Sequence, residues 1–183
     1  GDGVFPFVSN RDGSAGIYLK MIGRNAEVPL ARGSGEYSNP VMSLAASRIA
    51  YTVSDSGGCS KLELVDLTGA NRRLICDSAG RIDAAFTADG KWIYYSVSRC
   101  RENSADIYRA SCEGGPEYPV VCWPQSSEHS VSFSNNNEYM VFCSNRDGKE
   151  QIFLSNPLAE HPLKITDADA NHYRPIFSSD DRY

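Results

Sequence analysis

Apolar runs in the 183 residues are short: the stretch 120–123 has four residues and the longest, 139–143, has five. A bilayer-spanning helix needs roughly 20, so none is encoded here. Basic residues are in the minority: 18 Lys and Arg stand against 23 Asp and Glu, a net charge of −5. That balance excludes a nucleic-acid footprint and a polybasic membrane anchor. No basic start followed by an apolar stretch marks a leader peptide, although one removed earlier leaves no trace. Histidine is scarce, with only His129, His161 and His172. There is no Gly-x-Ser-x-Gly elbow for a serine nucleophile. The six cysteines (Cys59, Cys76, Cys100, Cys112, Cys122, Cys143) include no Cys-x-x-Cys, which excludes a zinc ribbon and a thioredoxin-like pair. No Asn-x-Ser/Thr sequon occurs, and no stretch shows a helical period. What remains, at 41% hydrophobic residues, is ordinary globular composition with room for one domain and its core.

The residues that are present recur. Ser9-Asn10-Arg11-Asp12-Gly13 returns 135 positions later as Ser144-Asn145-Arg146-Asp147-Gly148. Intermediate copies fall at thirds of that shift. Ile17-Tyr18, Leu62-Glu63, Ile107-Tyr108 and Ile152-Phe153 follow one another every 45 residues, as do Leu30, Ile75, Val120 and Ile165. Ser43, Thr87, Ser134 and Ser178 form a third family, spaced 44, 47 and 44. Three registers in phase define a repeat.

Each period reads as four short strands. The first carries Pro-x-apolar-Ser, as in Asn39-Pro40-Val41-Met42-Ser43 and Arg174-Pro175-Ile176-Phe177-Ser178. A turn such as Ala88-Asp89-Gly90-Lys91 follows, where Asp-Gly suits a tight hairpin. The second strand is apolar (Ile49-Ala50-Tyr51, Trp92-Ile93-Tyr94-Tyr95, Met140-Val141-Phe142) and the third is of the Asp106-Ile107-Tyr108-Arg109 kind. A further turn leads to a fourth, such as Arg73-Leu74-Ile75. The Arg-Asp-Gly loops occur twice at one repeat position, so they read as turns, Asp capping and Gly taking the positive φ, rather than as an adhesion motif. The fold class is all-β, and four strands in about 45 residues make a propeller blade.

Pro-x-Phe-Ser-x-Asp, then an apolar strand ending in Ser-x-Arg-Asp-Gly, then Ile-Tyr or Ile-Phe, resembles the TolB-type β-propeller repeat, a relative of the WD repeat. The fullest copies are 172–181 and 142–153, and the resemblance spans the chain. It implies a propeller fold, in a family whose members usually carry six or more blades and serve many roles. Some are glycan lyases with a metal-binding His set in the channel; others are the propeller halves of serine peptidases, whose hydrolase domain has no counterpart here. It also implies the periplasm, or export with the leader removed, whereas six cysteines without a pairing motif point to reduced thiols in the cytoplasm.

The expected organisation is a single propeller domain over 1–183, with four repeats of about 45 residues. One blade is split between 1–35 and 170–183; the others cover about 36–80, 81–126 and 127–169. The segment Phe5-Pro6-Phe7 aligns with the second strand Met140-Val141-Phe142, and Pro175 to Ser178 supplies the first strand that it lacks, closing the ring between N- and C-terminal strands. Pro6 sits awkwardly in a strand. A monomeric four-bladed ring, a two-chain eight-bladed ring and a piece of a longer propeller all fit these repeats.

Residues just before the innermost strand are expected to line one channel mouth. By register they are Tyr37, Asn39, Arg81, Asp83, Glu128, His129, His172 and Arg174, a set able to form a polar cup or simply a ring of solvated loop residues. Thr166-Asp167-Ala168-Asp169-Ala170-Asn171 begins like a calcium loop but lacks the later Gly and Glu, and Gly33-Ser34-Gly35 lacks the third Gly of a dinucleotide loop. Neither a metal nor another cofactor is expected, and no catalytic residue is assigned. Tyr118 and Trp123 flank a Pro-bearing segment and are candidates for a protein-binding patch. The function expected is a non-enzymatic scaffold binding a protein or peptide, without nucleic acid or membrane insertion. The alternative is a glycan-active lyase or hydrolase using a metal or the His/Arg cup at the channel mouth.

Overall fold

A computed structural model describes residues 3–80, 82–98, 104–167 and 169–182. Its fifteen strands form four antiparallel sheets, with no helix among the described residues. The first sheet is β1 (Val4–Ser9), β2 (Gly16–Met21) and β3 (Glu27–Arg32). The second runs β4 (Glu36–Ser43), β5 (Arg48–Ser54), β6 (Cys59–Asp66) and β7 (Arg73–Ala79). The third runs β8 (Ile82–Phe86), β9 (Trp92–Ser98), β10 (Ala105–Ser111) and β11 (Glu117–Val121). The fourth comprises β12 (Glu128–Phe133), β13 (Met140–Ser144), β14 (Gln151–Ser155) and β15 (Leu163–Lys164). Each sheet is a meander of sequence-adjacent strands. Two compact units emerge, Gly1–Ile82 and Asp83–Tyr183, divided within β8.

In the first unit β4 packs against β1 and β2. The core between them holds Ile17, Leu19, Tyr37, Ile49, Tyr51 and Val65. In the second unit β12 packs against β9 and β10 over Tyr94, Ile107, Met140, Phe142 and Phe153. The second strands β5, β9 and β13 are covered on both faces, which is why they read as unbroken apolar runs rather than as alternation: all five residues of β13 are buried. A fully buried side chain such as Phe142 contributes roughly 2–3 kcal/mol.

The repeated hydroxyl is the hub of each first hairpin. Thr87 Oγ1 donates to Asp89 Oδ1 (2.7 Å) and accepts from the Trp92 N–H (3.1 Å). Ser134 Oγ donates to Asn136 Oδ1 (2.7 Å) and accepts from the Tyr139 N–H (3.0 Å). Ser178 repeats this with Asp180 (2.8 Å) and the Arg182 N–H (3.2 Å). One short side chain thus replaces backbone bonds that a tight turn leaves unmade. These turns are also tied to one another in the second unit. The Ala88 N–H donates to Asn137 Oδ1 (2.6 Å), and the Asn135 N–H donates to the Asp181 carboxylate (2.8 Å).

The Ser-Asn-Arg-Asp-Gly copies behave alike. Arg11 Nε donates to Ser9 Oγ (3.1 Å) and Arg146 Nε to Ser144 Oγ (3.0 Å). Both guanidinium groups lie against aromatic rings of two neighbouring strands, Phe7 and Tyr18 for Arg11, Phe142 and Phe153 for Arg146. Gly13 (φ 89°) and Gly148 (φ 98°) take the left-handed turn, as expected. The expected role of the aspartate is corrected. The turn closes through the glycine N–H to the carbonyl of Asn10 (3.0 Å) or Asn145 (2.8 Å). The carboxylates reach other strands instead: Asp12 accepts from Tyr18 Oη (2.7 Å), and Asp147 pairs with Lys164 (3.2 Å).

The first sheet has three strands, and residues 172–178 form no ladder, so the expected pairing of 175–178 with β1 is not seen. Consequently β1 has no buried residue, although it is the counterpart of the wholly buried β13. Pro6 is accommodated because β1 is an edge strand.

Candidate binding site

The channel-mouth candidates separate into two kinds. Asn39 (φ 48°), Ser130 (φ 56°) and Arg174 (φ 53°) all adopt the left-handed conformation four residues before the repeated serine. In β4 and β12 the ladder slips at this point, between Ser38 and Val41 and between His129 and Ser132. Such a bulge re-aims one side chain per repeat. Asp83 occupies the same place in β8 and is half-buried. In the fourth sheet the bulge residue is therefore Ser130, one position after His129.

The residues six before the serine turn inward. Tyr37 is 7% exposed and its ring lies 5.8 Å from that of Tyr51. Burial raises its hydroxyl pKa, while the Arg72 guanidinium works against that shift. Glu128 is fully buried: its Oε1 accepts from Ser126 Oγ (2.6 Å) and Ser144 Oγ (2.8 Å), and its Oε2 has no partner. Nearby, Arg146 is drawn down to about 10 by desolvation, with Glu128 and Asp147 opposing that fall. Its Nη2 is likewise buried and unpartnered. His172 is half-buried with an unpartnered Nε2, and Arg81 lies outside the described residues.

His129, Cys143, Glu150 and His172 come together around β13 and β14. His129 Nε2 lies 3.2 Å from Glu150 Oε2 without hydrogen-bond alignment, and Nδ1 lies 3.0 Å from Ser130 Oγ. The His172 N–H donates to the Glu150 carbonyl (2.8 Å), and its own carbonyl accepts from Cys143 Sγ (3.6 Å). Burial pushes the Cys143 thiol up to about 11, helped by the Glu150 charge and opposed by a bond from the Arg174 backbone.

A cavity of about 580 Å³ opens in the second unit beside Trp123, walled further by Asp106, Gln125, Ser127 and Asn145. Its framework is cross-linked: the Ser127 N–H donates to Asn145 Oδ1 (2.8 Å) and Ser127 Oγ accepts from the Ala105 N–H (3.1 Å). Gln125 adopts φ 67°, an unusual conformation for a residue other than glycine. Apart from Trp123, none of these residues is a binding candidate in the sequence, where Asp106 and Asn145 read only as repeat positions. Their signal was the 47-residue spacing from Thr87 to Ser134, longer than its neighbours at 44, which marks the extra loop length that forms this wall. Tyr118, 44% exposed, sits apart from Trp123, edge-on to Trp92 at 6.2 Å. Arg109 lies over Trp92 (4.4 Å) and close to Tyr118 (5.8 Å).

No family model matches the chain. Among solved structures, TolB from Acinetobacter baumannii superposes with a TM-score of 0.70 at 17% identity, over 90% of this chain and 44% of that one. A structure from a study of two prolyl endopeptidases gives 0.72 at 13% identity, over 97% of this chain and 29% of that one. A chain of a nidogen–laminin complex gives 0.67 at 10%, covering 91% and 61%. The protein is an all-β chain built of propeller-type sheets. Its repeat fold is the TolB type, and the chain spans under two thirds of the length of the TolB structures that it matches.

Proposed function

We propose that this chain is a non-enzymatic binding module of TolB-type repeats that holds a protein or peptide. The observation that carries the reading is the cavity beside Trp123. Its amide, hydroxyl and carboxylate groups suit a peptide backbone, and the indole supplies an apolar wall. Trp92, Arg109 and Tyr118, grouped together elsewhere in the same unit, are the residue types that dominate interface energetics. The similar chain in a nidogen–laminin complex supports a protein partner, and the net charge of −5 argues against nucleic acid. In this reading Asp83, His172 and Arg174 offer further polar groups within the second unit, and Asn39 does so in the first. The repeat closes when a strand with the sequence of residues 174–178 pairs with β1.

Selection of displayed peptides on the immobilised protein tests this. Selected peptides bind with affinity reduced about tenfold or more by Trp123→Ala, Gln125→Ala or Tyr118→Ala. Binding indifferent to all three removes the reading. The 3.2 Å approach of His129 to Glu150 beside His172 favours a second one, a glycan-active lyase or hydrolase. Cleavage of acidic oligosaccharides that is lost in His172→Ala would establish that instead.

A further inference from the structure

We infer that the peptide taken by the cavity beside Trp123 is a proline-rich segment in the polyproline II conformation. This rests on the binding reading above and names the class of peptide. The cavity lies within the second unit, and the loop 122–127 between β11 and β12 supplies most of its wall. Hydrogen bonds inside that wall occupy side-chain oxygens and leave donors over. Asn145 Oδ1 is engaged by the Ser127 N–H (2.8 Å), and Ser127 Oγ accepts from the Ala105 N–H (3.1 Å). The Asn145 Nδ2 group and the Ser127 hydroxyl proton have no partner among the described residues. The Trp123 indole, which can only donate, has none either. Gln125 adds an exposed amide.

A ligand suited to this wall brings acceptors and apolar bulk but few donors. Proline does so, with a carbonyl and no N–H, and a proline run stands as an extended helix without internal hydrogen bonds, its carbonyls open to partners. Other residues add an N–H at every position, and a neutral sugar donates as often as it accepts. The Trp123 indole and the Pro124 ring are consecutive apolar surfaces against which pyrrolidine rings pack, as in aromatic-lined grooves that take such segments. The indole is held in place, since Arg146 lies over it and donates to Ser144 Oγ (3.0 Å). The fully buried Glu128 fixes the loop further by accepting from Ser126 Oγ (2.6 Å). Groove and ligand are both ordered before they meet, so little entropy is lost on binding. Asp106, the only charged side chain among the described wall residues, disfavours an acidic segment.

The test titrates a synthetic oligoproline, and a glycine–serine peptide of equal length, into the whole chain while the two indole N–H signals are followed by NMR. Oligoproline shifts the Trp123 signal and leaves that of Trp92, which lies against Arg109 and Tyr118; the glycine–serine peptide shifts neither. Asn145→Asp keeps the acceptor for the Ser127 N–H and removes the amide donors, and it weakens oligoproline binding about fivefold to tenfold. Trp123→Phe, which keeps a ring and removes the N–H, does the same and decides the matter if circular dichroism shows Asn145→Asp unfolded. Oligoproline binding that is indifferent to these changes overturns the proposal. Oligoproline binding no better than the glycine–serine peptide, while displayed peptides still bind through Trp123, overturns the proline assignment and leaves the binding reading standing. Failure of oligoproline and of every displayed peptide overturns both.

Discussion

The guanidinium of Arg146 lies 4.1 Å from the ring centre of Phe153, and Arg11 holds the same position 4.7 Å from Tyr18. The two arginines differ in burial. Arg146 carries a buried, unpartnered Nη2 near the buried Glu128, whereas the Arg11 side chain is 41% exposed and paired with Glu27. Removing Arg146 takes a half-buried cation off the rings of Phe142 and Phe153, and Arg146→Ala is expected to cost about 2 kcal/mol, the value of a desolvated cation–ring contact. Arg11→Ala costs about 1 kcal/mol, the value of an exposed cation–ring contact. Urea unfolding of both variants checks the ranking, and equal losses would refute it.

The hub serine gives a second expectation. Ser134 is fully buried and serves two turn partners, so Ser134→Ala leaves the Tyr139 N–H without its side-chain acceptor, while Asn136 Oδ1 keeps the Glu138 N–H. The cost is about 1–2 kcal/mol. Ser134→Thr, which keeps the hydroxyl as Thr87 does, recovers part of it. Thermal melts of the two variants separate loss of the bond from loss of volume.

Thiol chemistry provides a third. Cys143 is buried with its thiol pushed up to about 11, while Cys59 is exposed. At pH 8 iodoacetamide should label Cys59 readily and leave Cys143 unlabelled until the chain is denatured. Peptide mass mapping over time reads both sites. Early labelling of Cys143 would contradict the packing beside His172.

Acid titration supplies a fourth. Asp66 is held down to about 2, foremost by the Thr68 hydroxyl, with Asn71 and the backbone N–H groups of Thr68 and Ala70 adding to it. Because the folded value lies below the unfolded one of about 3.9, the ionised group stabilises the fold above that pH. The contribution is lost as pH falls through about 2. Carboxyl chemical shifts followed by NMR give the midpoint, and Thr68→Val moves it upward.

The strands and turns were readable because each repeated position has a local duty. Thr87, Ser134 and Ser178 close their own hairpins, so their spacing survives in the sequence. Another periodic signal went unread: Asp66, Ser111 and Asn156, 45 apart, each cap the turn into the fourth strand by accepting N–H bonds. The mouth residues were only partly legible. A carboxylate such as Glu128 reads as a solvated rim group, yet two serine hydroxyls hold it in the interior. Ser130 was missed in favour of His129 because the longer loop before β12 moves the register, and a bulge leaves no mark in periodicity. The ladder expected between 175–178 and β1 is not seen, and hairpin-scale patterns carry no information on pairing between segments so far apart.

The hydrogen bonds from one turn to the next, Ala88 to Asn137 and Asn135 to Asp181, leave each turn by the same position and arrive at the same position. The first link spans 49 residues and the second 46, so loops between the turns change length without breaking it. Length variation in this architecture is therefore absorbed by the loops, while each turn keeps its donor one residue and its acceptor three residues after the hub hydroxyl.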